Sequence, residues 1–226
     1  MKTTVYIDGY NLFYGCLKHS SYKWLDVFKL LERILHDQDP ATELLLVKYF
    51  TAPIKGKVAS HGVDAVHAQV SYHRALEHSY PGMVKVIQGF YSLEEGDMLR
   101  FKNPPDKKDR VAVWRLEEKQ TDVNIALECY RDALRGEVEQ IVIVSNDSDL
   151  EPALVAIRSD CSAEMRIGVV MPISESSTGA KRPPNKRLSD CADWTRKHIS
   201  NLELADAQFP DTIPTLKKPI KKLAYW

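Results

Sequence analysis

The sequence predicts an α/β fold around a central, mostly parallel sheet with strand order 3-2-1-4-5 and an inserted β-hairpin. Three observations carry this. Short apolar runs rich in β-branched residues suit strands buried on both faces, notably TTVYI (3–7), LLLVKYFTA (44–52), QIVIV (140–144) and RIGVVMP (166–172). Segments with helical periodicity alternate with them, which implies parallel strands joined by right-handed crossovers. Acids follow the strands directly: Asp8 after the first, and Asp147 and Asp149 after the fourth. In open α/β sheets, chemistry gathers at the carboxyl ends of strands.

Each element has a local reason. The first strand ends in Asp8-Gly9, a turn signal, followed by Tyr10-Asn11. Asp26 can cap a helix over about 27–36, with Phe28, Leu31, Ile34 and Leu35 on its inner face. Residues 53–62 form a loop. A helix over 63–79 is expected to bury Val63, Val66, Val70 and Leu76. Its histidines, His67, His73 and His78, lack metal-ligand spacing and are read as surface or packing residues. Residues 83–92 form a third strand. Two short strands around Asn103-Pro-Pro-Asp-Lys-Lys-Asp109 form the hairpin, over about 97–117. Its seven basic and four acidic residues between Arg100 and Lys119 fit either a solvated turn or a basic flap beside a site.

Thr121 caps the next helix, 121–135, with Val123, Leu127, Tyr130 and Leu134 as its apolar stripe and Gly136 at its end. After the fourth strand, Leu150, Leu154 and Ile157 mark a helix packed on the sheet. Ser148-x-x-Glu151 also matches a capping box, so Asp147 and Asp149 read equally as a helix start. A basic loop, Lys181 to Arg187, follows the fifth strand, and a short helix follows over 188–197. The organisation is a single domain, 1–200, with 201–226 as an extended, Pro-rich basic tail.

Composition bounds the function. The chain has 226 residues, 44% hydrophobic and 27% charged, enough for one sizeable domain. Lys+Arg and Asp+Glu are both 31, so any polyanion must be held by local basic clusters rather than by net charge. The four cysteines show no CxxC spacing, which fits reduced thiols and a cytoplasmic setting. No signal peptide or transmembrane run is read, so no membrane partner is expected.

If strands one and four are neighbours, Asp8, Asp147 and Asp149 share one cleft with Asp122, which opens the helix leading into strand four. Four carboxylates in one place repel one another unless a divalent cation joins them. Oxygen-only ligands favour Mg²⁺ or Mn²⁺, which can polarise a phosphodiester and activate water. Lys119, near Asp122, is a candidate phosphate ligand. Asn11 is placed to ligate the metal or orient the water.

These residues form an ordered set: Asp8-Gly9-Tyr10-Asn11, Lys119-x-x-Asp122 and Ser145-Asn146-Asp147-Ser148-Asp149. The set resembles the NYN domain family, bacterial relatives of the PIN-like nucleases. Gln69-x-x-Tyr72-x-x-Ala75-Leu76 is similar to that family's helix before strand three. The resemblance covers about 3–170. It implies a PIN-like three-layer α/β/α sandwich and metal-dependent cleavage of single-stranded or structured RNA. Asp8, Asp122, Asp147 and Asp149 would hold the metal and act in catalysis with Asn11. Lys119 and Ser145 would meet the substrate. Beyond the resemblance, Lys181, Arg182, Lys186 and Arg187 are the expected RNA contacts, because their loop follows strand five and leaves the sheet at the same carboxyl edge as the acids. The chain has Asn146 where the family pattern often has Gly, and Leu150 where it often has Phe, changes that touch loop shape rather than a carboxylate.

Other strand-end acid chemistries fit less well. A haloacid-dehalogenase-type phosphatase needs a second Asp where this chain has Tyr10. A dinucleotide fold needs a Gly-rich loop where Gly9 stands alone. A receiver domain needs an acid pair near strand one and a phosphoacceptor after strand three, and neither is present. The alternative from another class is a catalytically silent RNA-binding or regulatory module that keeps the acidic cleft.

Overall fold

Strand β1 (Lys2–Asp8) runs through the centre of the molecule and is buried from Thr3 to Asp8. Its pleat sends alternate side chains into two cores, Val5 and Ile7 into one and Tyr6 into the other. Strand β2 (Glu43–Thr51) divides the same way, with Val47 and Tyr49 opposite Phe50. Strand β6 (Gln140–Val144), buried along its whole length, sends Val142 and Val144 one way and Ile141 and Ile143 the other. This is the pattern of a sheet covered on both faces. The computed structural model describes residues 1–175, 183–224 and 226.

From β1 the chain turns into α1 (Gly9–Leu12) and a π-helical turn, Phe13–Leu17. It continues through α2 (Val27–Gln38), capped by the Asp26 carboxylate, into β2. Helix α3 (Gly62–Ser79) leads to β3 (Val84–Gln88). A hairpin of β4 (Phe90–Leu99) and β5 (Arg110–Lys119) stands apart from the main sheet. Helix α4 (Thr121–Arg135) returns the chain to β6. A short 3₁₀ turn, Ser148–Leu150, opens α5 (Glu151–Asp160), followed by β7 (Arg166–Val170). The chain then forms α6 (Lys186–Cys191), β8 (Trp194–Arg196), α7 (Asn201–Asp206), β9 (Thr212–Ile213) and β10 (Ile220–Lys221). The main sheet has the order β3-β2-β1-β6-β7-β8, and every pair in it is parallel. The order reverses between β1 and β6, which opens a crevice at their carboxyl ends.

Several expectations are corrected. The strand expected over 83–92 breaks at Gly89, where a Cβ would lie 2.5 Å from the Lys119 carbonyl oxygen. Residues from Phe90 onward join the hairpin instead, which is longer than the 97–117 expected. The helix expected over 188–197 is α6 followed by β8, a sixth parallel strand. Trp194 anchors β8 by lying over Gly168, and its indole donates to Gln140 Oε1 at 2.9 Å. The tail over 201–226 is not extended. Phe209, Ile213 and Ile220 enter the core beside α2 and α3, while the Trp226 indole donates to the Lys23 carbonyl at 2.9 Å. Lysines and prolines between these anchors hide them from a compositional reading. Among the described residues, no helix is long and apolar enough to cross a membrane.

Two helices present a different face from the one their apolar residues suggest. In α3, Leu76 is buried as expected, but Val63 and Val70 are exposed, and Ala65, Ala68, Gln69, Tyr72 and His73 are buried. In α4, Val123, Leu127 and Leu134 are exposed, and Ile125, Cys129, Asp132 and Ala133 face the sheet. The reason in α4 is a buried charge. Lys48 of β2 is almost wholly buried, and its ammonium lies 2.5 Å from both Asp132 and Glu128. The Tyr6 hydroxyl also donates to Asp132, at 2.8 Å. Satisfying this network decides how α4 rolls on the sheet, because an unpaired buried charge outweighs the exposure of a few aliphatic groups.

Lys48→Met therefore leaves Asp132 buried without its cation. It should lower unfolding stability by roughly 3–5 kcal/mol, measured by urea denaturation. A loss below about 1 kcal/mol would mean that apolar packing alone seats the helix.

Candidate active site

Asp8 closes β1 at the crevice and is almost fully buried. Its Oδ1 accepts from the Asn11 backbone at 2.8 Å, and its Oδ2 accepts from the Ser145 hydroxyl at 3.0 Å. The first of these caps α1. Gly9 has to be small here, since a Cβ would meet the Phe50 carbonyl at 2.6 Å and the Tyr49 ring at 2.8 Å. Burial raises the Asp8 pKa, and the nearby Asp147 adds to the rise. Bonds from Asn11 and Ser145 hold it partly down.

The loop after β6 is built on this carboxylate. The Ser145 hydroxyl that donates to Asp8 also accepts from the Asp147 backbone at 3.1 Å. Asn11 accepts from the Asn146 backbone at 3.3 Å. The Asn146 side chain donates to the Pro183 carbonyl at 3.0 Å and accepts from the Asn185 backbone at 2.8 Å, tying the start of α6 to the same edge. Asp147 caps the 3₁₀ turn through the Asp149 backbone at 3.1 Å. The cap is thus Asp147 rather than the Ser148–Glu151 box. Capping and clustering coexist, because Asp147 also acts electrostatically on Asp8 and Asp122.

Asp122 enters from α4. Burial on its cleft side, then the charges of Asp8, Asp147, Glu118 and Asp149, raise its pKa to about 6. Glu118, at the end of β5, is a fifth carboxylate that sequence reasoning missed. Burial and the charge of Asp8 raise its pKa, while a hydrogen bond from the Thr121 hydroxyl lowers it. That bond uses the hydroxyl expected to cap α4, and the capping position falls instead on Gln120, whose φ is 73°. The usable signal for Glu118 is its spacing: it lies one residue before Lys119, on the opposite side of a strand rather than on a helix.

Among the described residues, none of these five carboxylates has an ion-pair partner, so their repulsion is uncompensated by the protein. All donors are oxygens, and with the raised Asp122 pKa this chemistry fits a hard divalent cation. Among the described residues, no three of the His, Cys, Asp and Glu side chains gather around one point closely enough to hold a metal ion. The carboxylates share a cleft but stand apart within it.

The remaining expected residues are placed as follows. Asn11 is buried and bonded on both sides, which makes it a brace for Asp8 and the 145–147 loop. Lys119 alternates away from Glu118 and pairs with Glu117, itself paired with Arg115, so it is not brought to the acids. Lys186 pairs with Asp190 at 2.6 Å and Arg187 with Glu151 at 3.4 Å, both exposed and near the Asn146 clamp. Lys181 and Arg182 lie outside the described residues.

A model of the NYN domain matches residues 2–178. The chain belongs to the NYN domain family. Within a PIN-like NYN fold, the cleft between β1 and β6 is thus a candidate nuclease-like centre. A curated relative, 6-hydroxy-3-succinoylpyridine 3-monooxygenase HspA of Pseudomonas putida, is 41% identical over 244 residues, which cover 100% of this chain and 76% of that protein. A crystal structure of a protein of unknown function from Vibrio parahaemolyticus shares the fold, with a TM-score of 0.50 and 18% identity. It covers 88% of this chain and 93% of that one.

The acid cluster has a pH signature. A carboxyl whose pKa is raised on folding binds its proton more tightly in the folded state. Its stabilising contribution is present below the ordinary value of 3.8 and is lost as pH climbs toward 6. In chelator-treated protein, Asp122→Asn should raise the melting temperature relative to wild type at pH 7.5 but not at pH 4. Equal differences at both values would show that Asp122 feels no cluster.

Proposed function

We propose that this chain is a metal-dependent ribonuclease that hydrolyses RNA phosphodiester bonds in the β1/β6 crevice. One observation carries the reading: five carboxylates with no ion-pair partner among the described residues share the switch-point cleft of a fold that belongs to a nuclease-like family. Asp8, Asp122, Asp147 and Asp149 would hold Mg²⁺ or Mn²⁺. Such a cation supplies positive charge toward the phosphoryl oxygens and lowers the pKa of water.

The chain's own groups do the rest. Asn11 and Ser145 lock the Asp8 carboxylate, so it keeps one orientation. Asp122 shares the cleft with the other acids. Burial and their charge hold its pKa high in the metal-free protein, and it would stay ionised as a ligand of a bound cation. Asn146 ties the α6 start, with Lys186 and Arg187, beside the cleft. Their exposed ion pairs are weak enough to exchange for phosphates.

A second reading follows from the curated relative together with an aromatic cavity beside the acids. A protein aligned along this whole chain is named as acting on a substituted pyridine. On that reading the chain acts on a small heteroaromatic acid.

The deciding assay incubates the purified protein with labelled single-stranded RNA and Mn²⁺ or Mg²⁺, with and without chelator. Cleavage should need metal, fall to background in Asp8→Asn and Asp147→Asn, and leave 5′-phosphate and 3′-hydroxyl ends. Absence of cleavage with either metal would overturn the reading, and 2′,3′-cyclic phosphate ends would overturn the water mechanism. Replacing Lys186 and Arg187 with Ala should flatten the log–log salt dependence of RNA binding by about 0.7 for each phosphate no longer neutralised. An unchanged slope would place the RNA path elsewhere.

A further inference from the structure

Next to the acids lies a cavity of about 390 Å³, bounded by Gly9 and Glu118 on the acid side. Its volume falls in the range of small-ligand sites. Its walls are unusually aromatic. The Tyr10 and Tyr14 rings pack together, tilted by 35° with centres 4.3 Å apart, on one side, Tyr91 of the hairpin lines another, and Trp226 packs against Phe13 and Tyr72. The face that α3 buries supplies the floor.

The polar groups on that floor divide into two kinds. The Gln69 amide is committed to the loop, accepting from the Ile54 backbone at 2.8 Å and donating to the Ala52 carbonyl at 2.9 Å. The Tyr72 hydroxyl donates to the Leu25 carbonyl at 2.8 Å. His73 and Tyr49 differ. Both are more than nine-tenths buried, both line the cavity, and neither has a hydrogen-bond partner among the described residues. Among the described residues the sealed polar atom without a partner is Gln208 Oε1, so the polar atoms of His73 and Tyr49 open onto the cavity, where a ligand can pair both. Burial lowers the His73 pKa to about 4 and raises that of Tyr49. Both are thus neutral at pH 7, able to donate or accept without demanding charge. Lys18, Lys23 and Lys55 also line the cavity, and the Lys18 ammonium lies 4.6 Å from the Tyr14 ring centre.

We infer that this cavity binds a planar heteroaromatic ring with an anionic arm, the ring between the tyrosines and hydrogen-bonded to His73 and Tyr49, the arm toward the lysines. It deepens the reading above and rests on it only for which cleft does the chemistry, since the cavity that seats the ring is bounded on the acid side by Gly9 and Glu118. The ring is either the base of an RNA nucleotide or a free heteroaromatic acid.

The test uses the full chain carrying Asp8→Asn, so that cleavage and ring binding are read separately. Calorimetric titrations use AMP and UMP as one arm and 6-hydroxynicotinate as the other. Saturable binding of a probe is expected. It should weaken tenfold or more in His73→Phe, which keeps a ring but loses the hydrogen bond, and in Ser60→Trp, which fills the cavity from its rim. Binding of nucleotides alone assigns the site to RNA, and binding of the pyridine acid alone assigns it to a free substrate. Either supports the inference, even if the wild type cleaves no RNA. Binding of neither probe, or binding that Ser60→Trp leaves unchanged, overturns it.

Discussion

A hydrogen bond of 3.0 Å joins the Ser145 hydroxyl to the Asp8 carboxylate across 137 residues of chain. It forms because β1 and β6 are parallel neighbours whose register pairs Ile7 with Val144, so the next residue of each strand emerges at the same edge. Everything at the crevice is hung from that junction. Asn11 braces it from α1, Asp147 is held by the same serine, and Asn146 carries the connection on to α6. A carboxylate buried this deeply tolerates its burial only because its oxygens accept bonds from fixed donors.

Around the junction the protein gathers negative charge, and no described residue forms an ion pair with it. The contrast with another buried acid is informative. Asp132, on the same helix as Asp122, receives the ammonium of Lys48 and the hydroxyl of Tyr6. One helix therefore carries a satisfied carboxylate in its last turns and an unsatisfied one in its first. The satisfied end seats the helix, and that seating is what holds Asp122 at the crevice. Charge is neutralised where the fold must hold, and repulsion is kept where a cation or substrate can relieve it.

Much of this is legible in the residues. The apolar runs 3–7, 44–52, 140–144 and 166–172 read as strands because both faces of each are buried. Asp8, Asp122 and the Asp147–Asp149 pair stand out because each follows a strand or opens a helix. Glu118 is legible only through its place beside Lys119, since the hairpin that delivers it begins at Gly89, where backbone crowding rather than composition ends β3. The faces of α3 and α4 escape a periodicity reading for a related reason. Val63, Val70, Val123, Leu127 and Leu134 obey helical spacing, but a buried ion pair under α4 and an aromatic-walled cavity under α3 outrank them. The C-terminal segment reads as an extended tail because its anchors, Ile213, Ile220 and Trp226, are single residues among lysines and prolines.

The carboxylates of the crevice act as one electrostatic unit, and the titration of Asp122 is the sharpest probe of that coupling. Carboxyl carbon NMR on metal-free protein should show Asp122 titrating near pH 6, with the midpoint falling toward the ordinary carboxylate range when Asp8 is replaced by Asn. A midpoint near 4 in the wild type, or one near 6 that ignores the loss of Asp8, would contradict it.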